Sequence, residues 1–393
     1  MKCRAAFHHP ARHRLYREEV EPILLARQSS SAGSSPLSPE GSSDQASPGP
    51  APTPGMFSYF SHFQFDGKSS GIPTRISDIE LTHHYTAVAH RTLYSPCPHA
   101  YTALQQDVPR EALTSPLLLH QLLAFSALHL AYLNPEDRHQ YLIQASQHQS
   151  ITITNMTPVL TKPDVSTSCH ALYASSIFVI ISAFGTFPSC DKYNDRACPL
   201  DSLVDIFVLI EGMRIILHSS DEQLRSGPLK ALLSRCSCSS PQPRKHLRPI
   251  ASRLAELGTQ IEKGTFDLPE AEQEVLLDAL NSFRAAIKKL VDTPRMMATP
   301  ELRVVFGWPM RLSNAYFALL RRRHPLSLAI LSYYCVLLRS REDNYWFLEG
   351  WATALIQAME QSLAGSPWEE LIRWPVDTIK EDIVEETRQS PKY

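Results

Sequence analysis

The sequence predicts an all-α fold, and three observations carry that prediction. Apolar residues recur at helical spacing. Serine or asparagine beside proline marks several helix ends. Strand-like alternation bounded by turns is hard to find anywhere in the 393 residues. The clearest amphipathic helix is expected over 267–293. Its start is acidic (Glu270, Glu272, Glu274) and its end basic (Lys288, Lys289), which suits the helix dipole. Leu276, Leu280, Phe283, Ile287 and Leu290 share one face of it.

The remaining elements follow in chain order. Ser115 precedes Pro116, the arrangement favoured at a helix start, and the run LLLHQLLAFSALHLAYL behind it is apolar on every side, as in a buried helix. Asn134-Pro135 ends that helix, and another is expected over 137–155. Ala171 to Phe187 is the most apolar stretch. It falls short of the ~20 residues of a membrane span and carries Ser175, Ser176 and Ser182, so a core helix is expected and no membrane span. Further helices are expected at 311–323, 325–340 and 346–363.

Composition divides the chain. Residues 1–27 carry six Lys/Arg against three Glu and read as a basic N-terminal segment. Residues 28–74 form a linker, densest in Ser, Pro and Gly over 28–55, which has too little apolar surface to offset its ordering entropy and is expected to be disordered. One large helical domain is expected over 75–380, with a polar loop at 234–249 (SRCSCSSPQPRKHLRP), and 381–393 reads as an acidic and polar tail. The formal net charge is −2, the pI near 6.8 and the mean hydropathy −0.19. A chain that binds nucleic acid over its whole surface is usually basic, so any such contact is local or supplied elsewhere.

Catalytic and metal motifs are weak. Gly67-Lys68-Ser69-Ser70-Gly71 fits G-x-S-x-G, but it stands at the edge of the linker, without the strand and helix a nucleophile elbow needs. A phosphate loop would need a glycine where His62 stands. His83 and His84 are neighbours that cannot converge on one metal from a helix. The eight cysteines show no Cys-x-x-Cys spacing, and Cys236 and Cys238 are one residue apart. No catalytic residue and no metal ligand is assigned, and the chain is not expected to be an enzyme. His129, on an apolar face, is expected to be a hydrogen-bonded core histidine.

Two stretches are more specific. The first is DIELTHHYTAVAHRTLYS (78–95), followed by Val108 to Leu113 and then LLLHQLLAFSALHLAYLNPEDRHQYLIQASQHQ. Asp78, Glu80, Leu81, His83, His84, Tyr85 and Thr86 fit a D-x-E-L-x-H-H-F/Y-T opening helix. Leu122 to Ala131 fit a buried L-A-x-S-A-L-H-L-A helix, and Tyr141, Ala145, His148 and Gln149 fit Y-x-x-x-A-x-x-H-Q. The second stretch runs from Trp308-Pro309 through His324-Pro325-Leu326-Ser327-Leu328, then YWFLEGWATALIQAMEQSL (345–363), to Trp374-Pro375, which is expected to close the domain. In this order the segments resemble the regulatory domain of fungal zinc-cluster transcription factors of the sterol-uptake control type, over about 75–380. Ser327 stands where that family commonly has alanine.

The resemblance implies a nuclear transcription regulator, controlling sterol or secondary-metabolite genes, with homodimer or other transcription proteins as partners. It also implies a sterol or other lipid as a ligand, because sterol-responsive members hold one in this domain. Phe347, Gly350, Trp351 and Leu355 are the apolar pocket it points to. The Arg321-Arg322-Arg323-His324 cluster reads as a solvated helix end, with nucleic-acid binding or nuclear import as the alternative. Family members begin with a six-cysteine cluster that holds two zinc ions. Before the linker this chain has Cys3 alone. Zinc and DNA contact are therefore expected only through a missing upstream cluster. Either an upstream exon is lost from the chain, or it is a finger-less ligand-sensing or dimerisation module without direct DNA binding.

Overall fold

The computed structural model describes residues 74–93, 98–160, 169–190, 198–233, 247–292 and 300–389. All of them lie in one unit, Tyr59–Tyr393. Every regular element among the described residues is helical, as the sequence predicts. The basic segment and the linker lie outside the described residues, apart from Thr74, which begins the first helix.

The first half is built around two apolar helices. Helix α1 (Thr74–Ala87) is followed by a 3-10 turn (Ala89–Leu93). Short segments α2 (Pro98–Thr102) and α3 (Val108–Ala112) flank a π turn (Ala103–Asp107). Helices α4 (Pro116–Leu133), α5 (Arg138–Leu160) and α6 (Cys169–Cys190) come next. Ser115 and Asn134 bound α4 as expected. Helix α5 runs five residues past its expected end, through Pro158. By length and composition Pro116–Leu133 and Cys169–Phe187 could each cross a bilayer, but 78% and 83% of these stretches are buried in the unit. They are its core: α5, α6 and α1 all pack on α4.

Helix α7 (Pro199–Ser219) packs on α6 and leads into the second half. There α8 (Asp221–Ser226), α9 (Lys230–Leu233), α10 (Leu247–Glu262), α11 (Glu270–Asp292) and α12 (Pro300–Gly307) precede a 3-10 turn at Pro309–Arg311. Helices α13 (Asn314–Arg321), α14 (Pro325–Glu342), α15 (Trp351–Leu363) and α16 (Glu369–Gln389) complete the unit. The stripe on α11 is buried at all five positions, from Leu276 to Leu290. Trp308 closes over it: its indole lies 4.6 Å from the Phe283 ring, and its Nε1–H donates to the Ala279 carbonyl at 3.0 Å.

Other boundaries also differ from the sequence reading. The expected 311–323 helix begins at Asn314, where the Ser313 hydroxyl accepts the Tyr316 N–H. The expected 346–363 helix is split, because Gly350 sits at φ +80°, in the left-handed region. A separate 3-10 turn, Trp346–Leu348, therefore precedes α15. Trp374-Pro375 does not close the domain. Pro375 lies inside α16, which runs on to Gln389 and takes in most of the expected tail. The expected loop at 234–249 falls mostly outside the described residues, and its last three positions belong to the first turn of α10.

Close approach of α6 to the 346–348 turn depends on Gly185. A Cβ there would stand 2.7 Å from Trp346 Cη2, nearer than non-bonded carbons pack. Gly185→Ala is expected to cost about 1–3 kcal/mol by overpacking. Urea unfolding monitored by helical circular dichroism measures it, and an unchanged midpoint would mean the approach is looser than described.

Candidate functional site

The residues that carry the resemblance meet in space. Helix α1 brings four polar side chains to α4, α5 and the adjoining turns, and each finds a partner. His84 Nε2 and His129 Nδ1 of α4 are 2.9 Å apart, both rings buried. One nitrogen must donate and the other accept, so the bond fails if both rings are protonated. Asp78 Oδ1 faces His148 Nε2 of α5 at 3.4 Å. His148 Nδ1 in turn lies 2.9 Å from His120 Nδ1 of α4. With the His148 Nε2–H facing Asp78, its Nδ1 accepts from His120. The Tyr141 hydroxyl of α5 donates to Glu80 at 3.1 Å, and the Tyr85 hydroxyl donates to the Leu104 carbonyl at 2.9 Å. His83 and Thr86, the other polar positions of that motif, face outward.

These environments shift the titrating groups. Burial, reinforced by neighbouring His83, lowers the His84 pKa to about 3. Burial lowers His148 to about 4; the Asp78 carboxylate opposes that shift and His120 adds to it. Burial also lowers His120 and pushes the Tyr85 hydroxyl upward.

The C-terminal stretch joins the same assembly. Trp346 packs among Phe125, His129 and Tyr132 of α4, with ring centroids 6.1, 5.1 and 5.2 Å away. Its Nε1–H donates to Thr92 Oγ1 at 3.1 Å, joining residues 254 positions apart. Tyr132 donates to Glu349 beside it. Trp351 donates to the Phe184 carbonyl at 2.9 Å and packs against the rings of Phe184 and Phe187. Glu342, the last residue of α14, is buried. Its Oε1 accepts the Ala352 N–H at 2.8 Å and its Oε2 accepts from Arg339 at 2.7 Å. Burial raises the Glu342 pKa despite both bonds. Sequence reasoning gave Glu342 and His120 no role. An acidic residue nine positions before a helix start is the only trace of the first, and nothing in the local pattern marks the second.

Of the four expected pocket residues, Phe347, Trp351 and Leu355 are at most 1% exposed. Phe347 meets the Trp346 ring edge to face, 6.1 Å between centroids. Gly350 supplies the left-handed turn between Phe347 and Trp351, and a Cβ on it would lie 3.3 Å from Phe187. Gly67 to Gly71, Cys236 and Cys238 lie outside the described residues. Cys169 and Cys335 are buried free thiols. Among the described residues no group of three or more His, Cys, Asp or Glu side chains is placed to hold a metal ion.

The arginine cluster is a helix end with Arg321 and Arg322 about half exposed, as expected, and its charges are also paired with acids. Arg321 pairs with Asp205, Arg322 with Glu272 and Arg323 with Asp201, each at 2.7 Å, and His324 lies 3.5 Å from Glu272. The basic run thus joins α13 to α7 and α11 with its charge matched by acids. Its geometry is a Schellman motif: His324 N–H bonds the Leu319 carbonyl and Arg323 N–H bonds the Leu320 carbonyl. Arg323 occupies the left-handed position at φ 58°, where glycine is usual, and its side chain is held by Asp201. The Arg322 pair is half exposed, so Arg322→Ala is expected to cost less than about 1 kcal/mol. A denaturant midpoint shift larger than that would show that the three pairs act as one network.

No family model matches the chain. It is similar to a Zn(2)-C6 fungal-type transcription factor of Gibberella zeae, 24% identical over 314 residues, which covers 77% of this chain and 61% of that protein. It is also similar to sterol uptake control protein 2 of Candida albicans, 23% identical over 306 residues, 74% of this chain and 41% of that protein. The chain thus spans about three fifths and two fifths of these two relatives.

Proposed function

We propose that this chain is a nuclear transcription regulator of the fungal zinc-cluster kind, working through its helical unit as an effector and interaction domain. The observation that carries this reading is the similarity to two fungal proteins, one named as a transcription factor and one as a sterol uptake control protein, over about three quarters of the chain. In this reading the polar groups of the motif stretches engage one another and tie helices together. DNA contact and zinc belong to an upstream cysteine cluster in this reading, and mapping the 5′ end of the transcript tests for one. Homodimers or other transcription proteins are the partners it needs.

Tethering tests the proposal. The full chain is fused to a heterologous DNA-binding domain in a fungal cell carrying the matching reporter. A several-fold rise or fall in reporter output is expected. Unchanged output from a fusion present in the nucleus overturns the reading.

A second reading, ligand sensing, is favoured by the name of the Candida albicans relative. In it a sterol or other lipid enters beside Phe347, Gly350, Trp351 and Leu355, where Phe187 would have to move aside from Trp351. A sterol-dependent rise in melting temperature that Gly350→Trp abolishes supports this reading. No rise at saturating sterol removes it.

A further inference from the structure

An apolar recess in the first half lies between α1, α3 and α4 and has a volume of about 360 Å3. Its floor is Tyr85, Ala112, Leu119, Leu122 and Leu123. Thr82 and Thr86 form one wall, and their hydroxyls are turned back onto carbonyls of their own helix. Gln106, Pro109, Arg110 and Leu113 form the other. Leu113 is 81% exposed, and Ile79, on the same face of α1 as Thr82 and Thr86, is 69% exposed. These are the two most exposed large apolar side chains among the described residues. An apolar recess with apolar residues left out in water at its rim marks a contact surface rather than a finished one.

The same chain carries an occupant of matching chemistry. Tyr59 to Phe65, YFSHFQF, holds four aromatic residues in seven and no Lys, Arg, Asp or Glu. It lies outside the described residues. Eight residues, 66–73, separate it from the start of α1. Extended, eight residues reach about 26–29 Å. The recess begins eight to twelve residues along α1, about 12–18 Å from its start. The tether is therefore long enough for the segment to turn back along the helix that follows it. So short a connection gives it a millimolar effective concentration at the recess, which an unlinked partner rarely matches.

We infer that Tyr59 to Phe65 docks in cis in the recess between α1, α3 and α4, with its aromatic rings against Leu113, Leu119 and Leu122. This holds whether or not the chain regulates transcription.

Photo-crosslinking of the full chain tests it. Phe63 is replaced by p-benzoylphenylalanine, the protein is irradiated at low micromolar concentration, and the linked peptides are identified by mass spectrometry. Links within one chain to 82–86, 109–113 or 119–123 are expected. Leu113→Arg should reduce their yield about tenfold, the effect of exposing one leucine's worth of apolar contact. Because Leu113 is 81% exposed on the helical unit itself, that variant should still fold with the helical circular dichroism of wild type. Links between two chains, which would mark a second copy as the occupant, overturn the inference. So do links to other parts of the unit, or a yield indifferent to Leu113→Arg.

Discussion

Trp346→Ala is expected to lower the free energy of unfolding by about 3–5 kcal/mol, the usual cost of deleting a buried tryptophan. The residue is 1% exposed and has no space beside it to collapse into, because Phe125, His129 and Tyr132 of α4 line one side and Phe347 another. The substitution also leaves the Thr92 hydroxyl without its indole donor. Trp346→Phe should recover part of the packing but not that hydrogen bond, and so fall between wild type and Trp346→Ala. Urea titration followed by circular dichroism measures both. Equal losses for the two variants would mean that the Thr92 bond dominates and the packing contributes little.

Acid is the second large effect. His84 and His148 have folded-state pKa values of about 3 and about 4, both lowered chiefly by burial from an ordinary 6.5. The unfolded chain therefore takes up protons first as the pH falls. The stability these residues lend is complete above pH 6.5 and is lost progressively below it, toward the folded-state values. At about 1.4 kcal/mol per pH unit, His84 alone accounts for about 2 kcal/mol between pH 6.5 and 5, and His148 adds to it in the same direction. The slope should flatten in a His84→Gln, His148→Gln double variant. A wild-type unfolding midpoint independent of pH over that range would contradict the buried neutral pairs.

Much of the fold is legible in the sequence because helix formation leaves a local mark. The α11 stripe, the Ser115-Pro116 start of α4 and its apolar run are all settled within four or five residues of themselves, and each stands where the spacing puts it. His129 could be read as a satisfied core histidine from its apolar surroundings, but its partner could not, because His84 is 45 residues away on another helix. The same limit explains the arginine cluster. Four basic positions in a row mark a solvated helix end, but not the acids Asp201, Asp205 and Glu272 that α7 and α11 bring to them. Gly350 was visible as a residue but not as a break, since glycine within a helical pattern does not declare its φ. Pro375 misled in the opposite sense: α16 continues past it, giving up one backbone hydrogen bond while Trp374 stacks on Tyr333.

The motifs that carry the family resemblance thus have a shared structural meaning. Asp78, Glu80 and His84 tie α1 to α5 and α4, and Trp346 ties the C-terminal stretch to α4 and to Thr92. Residues separated by more than 250 positions belong to one interlocked framework.

Hydrogen exchange on the intact chain tests that framework most directly, comparing wild type with Trp346→Ala at pH 7. If the ties act as one unit, the substitution raises amide exchange in α1 and α4 as well as in α15. Faster exchange confined to 345–363, with α1 and α4 protected as in wild type, would contradict it.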